Sequence, residues 1–394
     1  MAAKTTNVIV LTGGGSGGHI TPLVAVARKL KQLKPDAKLI YVGQRGDCLS
    51  DIVSAEPAID QVFSVRAGKF RRYNGEGWRQ VLALPTQLKN LRDAGWVVIG
   101  LWQSFWLMRR IKPSVIFSRG GFVSVPVCLA GKLNGVSFIT HDSDSLPSLA
   151  NRLIARWATW HAVALPEDVY PYDRQKTVTV GIPISADYRP VRDELCRRYR
   201  QEIGLSSYKY VLCITGGGNG ADDLNKAVAA NLPSLLKAYP DLAAMHISGR
   251  AHELSLNKLY DRALPAVDRS RVVVKGFVSD FYRYSGAADV VVARAGATNI
   301  AEFARQGKAC ILLPNAKLTG GHQLKNAQIL ARAGAIKMVD ESKLRAGDLA
   351  AVIASLLNSP KTRRQLGQAF QSFAKPRAAQ DLAELILKTL EHKT

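Results

Sequence analysis

The sequence predicts an α/β protein of two doubly wound, Rossmann-like halves, and three features carry that prediction. Short β-branched, apolar runs alternate with stretches of helical spacing, the pattern of parallel strands joined by crossover helices. The alternation restarts about halfway along the 394 residues. Each half also opens alike, on an apolar run that ends in a glycine-rich turn: NVIVLTGGGSGGH at 7–19 and YVLCITGGGNGADDLN at 210–225.

The strands follow in order. In the first half they are 7–12, 38–43, 60–65, 114–119, 136–140 and 159–164, with helical patterns between most of them. In the second half they are 210–215, 243–248, 271–276, 289–294 and 310–314. The segment VGIPISADYRP at 180–190 joins the halves, which predicts domains of 1–184 and 185–375. The last helical stretch, within 376–394, is expected to cross back to the first domain.

Composition narrows the setting. A hydrophobic fraction of 47% is enough for two buried cores. The five cysteines (Cys48, Cys128, Cys196, Cys213, Cys310) show no C-x-x-C spacing, which argues against a disulfide framework or structural zinc and fits a reducing cytoplasm. The opening MAAKTTNVIVLT runs straight into a strand and has none of the segments of a signal peptide. A formal charge of +23 implies an anionic partner: nucleic acid, acidic headgroups or a phosphorylated substrate.

Both halves are basic, and residues 66–112 hold ten Lys and Arg, among them Lys69, Arg71, Arg72, Arg109 and Arg110, against only Glu76 and Asp93. Within this stretch GWVVIGLWQSFWLM at 95–108 is uncharged and carries Trp96, Trp102 and Trp106, with Trp78 upstream. A span of a bilayer needs roughly 18 to 20 such residues, so this run is too short. It reads either as a buried core helix or as an interfacial patch resting on anionic headgroups. A continuous apolar block is unlike the interleaved stacking platform of a single-strand binder, which disfavours nucleic acid.

The first glycine turn contains a form of G-x-G-x-x-G (Gly13, Gly15, Gly18), so a dinucleotide enzyme has to be weighed. That chemistry needs a carboxylate at the end of the second strand to hold a ribose, and here the strand ends in YVGQRGD, with Gln44 and Arg45 in that place. What remains is a turn that admits a ligand to the backbone and presents helix amides to an anion. His19 stands in the first helical turn, where the dipole disfavours the imidazolium and leaves a neutral base. A cap or packing role is its plainer alternative.

At this point the residues resemble a family. GGGSGGHITP is similar to the G-G-T-G-G-H-x-x-P motif of the MurG family, the N-acetylglucosaminyltransferases of peptidoglycan lipid synthesis, with Ser16 replacing threonine. SRGGFVSVP and HDSDSLPSLANR (within 118–158) resemble its G-G-Y-V-S-x-P and H-E-Q-N segments, with Phe122, Asp142, Ser143 and Asp144 departing. TGGGNGADDLN (215–225), ARAGATNIAE (293–302) and GGHQLKNAQILARAGA (320–335) resemble three further motifs, in order. A last departure is Ser185, where the family commonly has arginine.

The resemblance implies a GT-B fold, two Rossmann-like domains with the active site in the cleft. It also implies a UDP-N-acetylglucosamine donor, an undecaprenyl-linked acceptor, the anionic cytoplasmic membrane face as a peripheral location, and other cell-wall synthesis proteins as partners. No cofactor or protein-bound metal is expected. The implied acceptor contacts are Gly14, Gly15, Ser16, Gly17, Gly18, Phe122 and His141. The donor contacts are Ser16, Gly17, Gly18, Asp144, Gly218, Asn219, Phe277, Val278, Arg294, Ala295, Gly296, Ala297, Thr298, Glu302, His322 and Gln323. The turn at Arg294–Thr298 would face the diphosphate and Glu302 the ribose, while His19 is the implied base and Asp144 a second candidate. Two alternatives stay open: another GT-B enzyme with a lipid acceptor, and a non-catalytic binder of anionic surfaces.

Overall fold

The computed structural model describes residues 7–14, 17–47, 50–68, 84–315, 321–340 and 347–391. It divides into two units, one of Met1–Ser185, Lys317–His322 and Lys375–Thr394, the other of Ala186–Ala316 and Gln323–Ala374. In the first, β1 (Val8–Thr12), β2 (Lys38–Gln44), β3 (Gln61–Val65), β4 (Val115–Ser118), β5 (Ser137–Asp142), β6 (Trp160–Val163) and β7 (Thr177–Thr179) form one sheet in the order β3-β2-β1-β4-β5-β6-β7. In the second, β8 (Tyr210–Thr215), β9 (Leu242–Ile247), β10 (Val272–Lys275), β11 (Val290–Ala293), β12 (Cys310–Leu312) and β13 (Lys337–Met338) take the order β10-β9-β8-β11-β12-β13. Every pairing in both sheets is parallel.

The sequence of β1 shows why the strands read as unbroken apolar runs. Ile9 and Leu11 point into the core under the helix Gly17–Leu33, while Val10 points into the opposite core with Val127 and Met108. Both faces of such a strand are buried, so alternation disappears. The last helix, Ala378–Glu391, sets Leu382, Ile386 and Leu390 into the same core as Ile9 and packs on Gly17–Leu33.

Two strands escaped the sequence reading, β7 with three residues and β13 with two. Both lie at sheet edges and are too short to show a period. β5 runs two residues past the expected end, so His141 and Asp142 belong to a strand rather than a loop.

The tryptophan-rich stretch is not a buried core helix. It belongs to the 28-residue helix Leu84–Ile111. Asp93, Ser104 and Met108 are buried on one side, while Leu91, Val98, Ile99, Trp102 and Trp106 are exposed on the other, Leu91 by 72% and Trp102 by 66%. Glycines let the buried side approach backbone: a Cβ on Gly100 would stand 1.9 Å from the Arg66 carbonyl oxygen. Among the described residues no helix is long and apolar enough to cross a membrane.

In the second unit the helix Ala297–Gln306 ends on Gly307, left-handed at φ +69°, whose amide donates to Ala304 O while Lys308 N donates to Phe303 O. The helix Pro360–Gln371 crosses it at Gly367, where a Cβ would lie 2.2 Å from the Gly307 carbonyl oxygen. Only hydrogen fits there. Gly367→Ala is therefore expected to push the two helices apart and destabilise the second unit by about 1–3 kcal/mol, read as a lower urea midpoint for that unit's transition.

Candidate active site

A parallel sheet covered on both faces leaves its strand ends for a ligand, and in a doubly wound sheet the opening lies where the strand order reverses. That place is β1 beside β4 in the first unit and β8 beside β11 in the second. Glycine turns follow the strands at both.

In the first unit Gly13 and Gly14 leave β1, and Gly120 and Gly121 leave β4 with φ of +86° and +88°. A Cβ on Gly121 would stand 2.7 Å from Gly14 O, so the two turns pack backbone against backbone. The Tyr41 phenol donates to Gly13 O, and burial, aided by Asp47, pushes its pKa up. Phe122 follows half-buried. Gly15 and Ser16 lie outside the described residues. Gly17, Gly18 and His19 are described only as the backbone of a helix start, and the His19 side chain lies outside the described residues too.

Beneath these turns lies a charged cluster. Arg119, 4% exposed, donates its amide to Thr12 O at 2.8 Å and its guanidinium to Ser143 Oγ. Burial lowers its pKa to about 10, against the pull of Asp144 and Asp142. Asp142 is held by the Tyr172 hydroxyl at 2.7 Å and the Ser148 amide at 3.0 Å, although burial still raises it above the ordinary carboxylate range. Tyr172 stacks on His161, 3.9 Å between centroids, and His161 bonds Thr140 at 2.8 Å. Asp144 is half-exposed beside this cluster.

His141 is a correction. Expected to contact the acceptor, it is fully buried, with Nε2 2.8 Å from Gly181 O. A carbonyl only accepts, so Nε2 donates, and the ring braces the chain that leaves β7.

In the second unit the turn Gly216–Gly220 follows β8, with Gly218 half-buried and Asn219 exposed. It is backed by a buried relay. Asn225 Nδ2 donates to Ser248 O at 3.0 Å, which turns its Oδ1 toward His246 Nε2, also at 3.0 Å. Nε2 therefore carries the proton, and Nδ1 accepts from the Tyr260 hydroxyl at 2.8 Å. Ser248 O in turn underlies Gly220, where a Cβ would approach to 2.1 Å. Burial lowers the His246 pKa to about 3, as the relay requires of a neutral ring.

Arg294–Thr298 lead from β11 into the helix Ala297–Gln306, with Gly296 at the N-cap. The first-turn amides of a helix point out of its N-terminus, toward the place of an anion. Arg294 itself is a correction: its amide donates to Thr215 O at 3.3 Å, and its buried guanidinium to Leu313 O at 3.0 Å. It fastens β11 to its neighbours instead of facing a diphosphate. Ala295 is buried, Gly296 and Thr298 half-buried. Glu302, 6% exposed, faces the Tyr188 phenol, and burial pushes it up to about 8.

Phe277 follows β10 with the Arg250 guanidinium 4.9 Å over its ring, and Val278 packs against the core. His322 starts the helix His322–Arg332 and is half-buried. Gln323 is buried and its Oε1 accepts from Asn315 N at 3.0 Å, so that oxygen holds the segment after β12 rather than a sugar. Sequence reasoning missed Tyr188, Tyr172 and the His246 relay. A polar residue inside an apolar strand, His246 in AAMHIS, was the available signal.

Of the predicted membrane contacts, Lys69, Arg71, Arg72 and Trp78 lie outside the described residues. Trp96 is half-buried under the Arg66 guanidinium, 3.9 Å from its centroid. Trp102, Trp106, Arg109 and Arg110 are exposed. Among the described residues no group of His, Cys, Asp and Glu is arranged to hold a metal ion.

Two family models match the chain, the glycosyltransferase family 28 N-terminal domain over residues 9–163 and the glycosyltransferase family 28 C-terminal domain over 211–382. The UDP-N-acetylglucosamine--N-acetylmuramyl-(pentapeptide) pyrophosphoryl-undecaprenol N-acetylglucosamine transferase of Moorella thermoacetica is 31% identical over 385 residues, 97% of this chain and 99% of the relative. The enzyme of the same name from Desulforudis audaxviator is 32% identical over 383 residues, 96% and 98% of the two chains. Among solved structures, Acinetobacter baumannii MurG superposes with a TM-score of 0.66 at 22% identity, covering 97% of this chain and 99% of that one. An S. aureus MnaA–UDP co-structure superposes at 0.68 with 12% identity, covering 98% and 97%. These two likenesses show the fold, which is GT-B.

The relay behind the β8 turn has two expected consequences. Tyr260→Phe leaves a buried imidazole nitrogen without its donor and should cost about 1–3 kcal/mol in urea unfolding at neutral pH. Because His246 protonates in the unfolded chain near the ordinary value of about 6.5 but in the fold only near 3, unfolding takes up a proton between the two. Stability is thus full above about pH 6.5 and falls as pH drops toward 3, and His246→Gln should flatten that part of the curve.

Proposed function

We infer the reaction from one premise: the chain belongs to the MurG family of glycosyltransferase family 28. It is a hexosyltransferase with a UDP-sugar donor. It transfers N-acetylglucosamine from UDP-N-acetylglucosamine to undecaprenyl-pyrophosphoryl-MurNAc-pentapeptide, lipid I, giving lipid II and UDP in peptidoglycan synthesis.

One observation carries the residue assignment: the helix Ala297–Gln306 begins at the switch point and places a buried carboxyl, Glu302, just beyond its first turn. The helix N-terminus at Gly296, Ala297 and Thr298 takes the donor diphosphate and stabilises the leaving UDP as negative charge develops. Glu302 accepts from the ribose hydroxyls. Gly218 and Asn219 close on the donor from the β8 turn, and Phe277 with Val278 sits at the uracil. Charge on the leaving group is met by backbone dipoles, so the proposed step includes no protein-bound metal.

The first unit takes the acceptor. Its paired glycine turns admit the pyrophosphate to backbone distance, and Phe122 lies beside them. The muramoyl 4-hydroxyl attacks the anomeric carbon from the face opposite UDP and loses its proton as the new bond forms, with inversion. His19 and Asp144 are the two candidates for the base. Asp144 is half-exposed near the Arg119 guanidinium, below the acceptor turns.

We also propose that the helix Leu84–Ile111 seats the enzyme on the cytoplasmic face of the membrane as a peripheral protein. Leu91, Val98, Ile99, Trp102 and Trp106 form one exposed apolar stripe, with Arg109 and Arg110 at its end. Tryptophan beside arginine is the composition that interfacial anchors use.

The central test incubates the protein with labelled UDP-N-acetylglucosamine and a short-chain lipid I analogue, and disaccharide product is expected. Transfer to diacylglycerol instead would favour a glycolipid synthase. Glu302→Ala should lower kcat/KM by about 10- to 100-fold, the worth of hydrogen bonds to a charged group. Asp144→Asn separates the bases: a loss of about 10²-fold or more with a changed pH profile assigns the proton to Asp144, and an unchanged rate assigns it to His19. Trp102→Glu with Trp106→Glu should reduce co-sedimentation with anionic vesicles about tenfold or more while transfer to the short-chain acceptor persists.

A further inference from the structure

The donor reading rests on Glu302, and the structure gives that carboxyl a partner from outside its own helix. Tyr188, 8% exposed, faces it with the phenol. Tyr188 lies in the segment that joins the halves, two residues after the second unit begins at Ala186. Its position is fixed independently of Glu302. Three residues on, Val191 N donates to Gln306 O at 3.1 Å, so the segment is tied to the helix Ala297–Gln306 at two points about one turn apart. The Tyr188 ring meets Tyr282 edge-on, 6.2 Å between centroids, and Gln306 bonds Ser285 Oγ at 2.8 Å and Tyr282 O at 2.7 Å.

A carboxylate offers about four acceptor sites on two oxygens. A single phenol donor occupies one and leaves the rest for a pair of vicinal hydroxyls. We propose that Tyr188 is a positioning residue for the donor nucleotide, holding the Glu302 carboxyl in the orientation that meets the ribose and sharing it with the ribose once UDP is bound. This rests on the reading of Glu302 as the ribose acceptor.

The pair also sets how donor binding depends on pH. Burial pushes Glu302 up to about 8, and the bond from Tyr188 opposes that shift. The other titratable groups facing Tyr188 are Cys213 on β8 and Asp187 beside it, with Tyr282 on the helix Phe281–Ala287 packed against its ring. Ribose hydroxyls donate, so they prefer the ionised carboxylate. UDP should therefore bind more tightly as pH rises toward about 8, and taking the phenol away should move this rise to higher pH.

The test is UDP titration calorimetry across pH 6–9 on the full chain, with Tyr188→Phe, Glu302→Gln and the double variant. Tyr188→Phe keeps the ring against Tyr282 and removes one hydroxyl. It should weaken UDP binding about tenfold at pH 7, the worth of one hydrogen bond to a charged group, displace the pH dependence upward, and raise donor KM with kcat at saturating donor within about twofold. In the Glu302→Gln background the same change should cost less than about twofold. If Tyr188→Phe binds like the wild type at every pH while Glu302→Gln is impaired, the role of Tyr188 falls and the donor reading stands. If Glu302→Gln binds UDP normally, the donor reading falls first. Should Tyr188→Phe fold poorly, the carboxyl is followed in the unaltered protein: its NMR titration must move to lower pH when UDP is added, and an unmoved titration overturns the proposal.

Discussion

A parallel sheet buried on both faces can do chemistry only where its strands end. Helices cover both faces of the central strands, so side chains along those strands have nowhere to go but the cores. Everything polar that a ligand could meet must therefore leave through the turns after β1, β4, β8, β9, β10 and β11. The glycines there follow from the same limit. Gly121 against Gly14 O and Gly220 against Ser248 O leave no room for a Cβ, because neighbouring strands deliver their turns into the same few ångströms.

Below those turns lies a second layer, of buried polar groups that decide where the turns sit. Tyr260, His246, Asn225 and Ser248 form one directional chain in which each donor has a single possible acceptor. Such a chain tolerates no change of charge state, because protonating the imidazole would bury a charge and take from the Tyr260 hydroxyl its acceptor. Arg119, Asp142 and Tyr172 do comparable work in the first unit with charges, and the cost appears in the raised carboxyl of Asp142 and the lowered guanidinium of Arg119.

This layering explains what could be read from the sequence. The doubly wound pattern was legible because both faces of each long strand are apolar, and the glycine turns were legible because their position after a strand is local. β7 and β13 were not, since two or three residues carry no period. His141, Arg294 and Gln323 were assigned to ligands by their place in motifs, yet their side chains bond Gly181, Leu313 and Asn315. A residue's motif says which turn it serves; whether it points outward or braces the turn from beneath depends on contacts far away in sequence. The exposed face of Leu84–Ile111 was ambiguous for a similar reason, because a run of fourteen uncharged, mostly apolar residues looks alike whether a core or a membrane covers it.

The choice of partner for Glu302 follows from what it is proposed to recognise. A carboxylate meant for neutral hydroxyls faces two opposed demands: it must be ionised when the nucleotide arrives, yet still have vacant acceptor sites. A guanidinium would meet the first demand and fail the second, since a bidentate pair occupies both oxygens. A phenol donates once, favours the ionised form only modestly, and leaves the remaining lone pairs open. Burial in the absence of a strong partner then raises the carboxyl toward neutrality, so that ligand binding and loss of a proton become the same event. In the first unit Asp142 also has a phenol partner, Tyr172 on one oxygen, but the Ser148 amide takes the other. Both units thus bury an acid beside a phenol under similar glycine turns, but the two oxygens of Asp142 are taken by Tyr172 and Ser148, whereas Glu302 is proposed to share its own with a sugar.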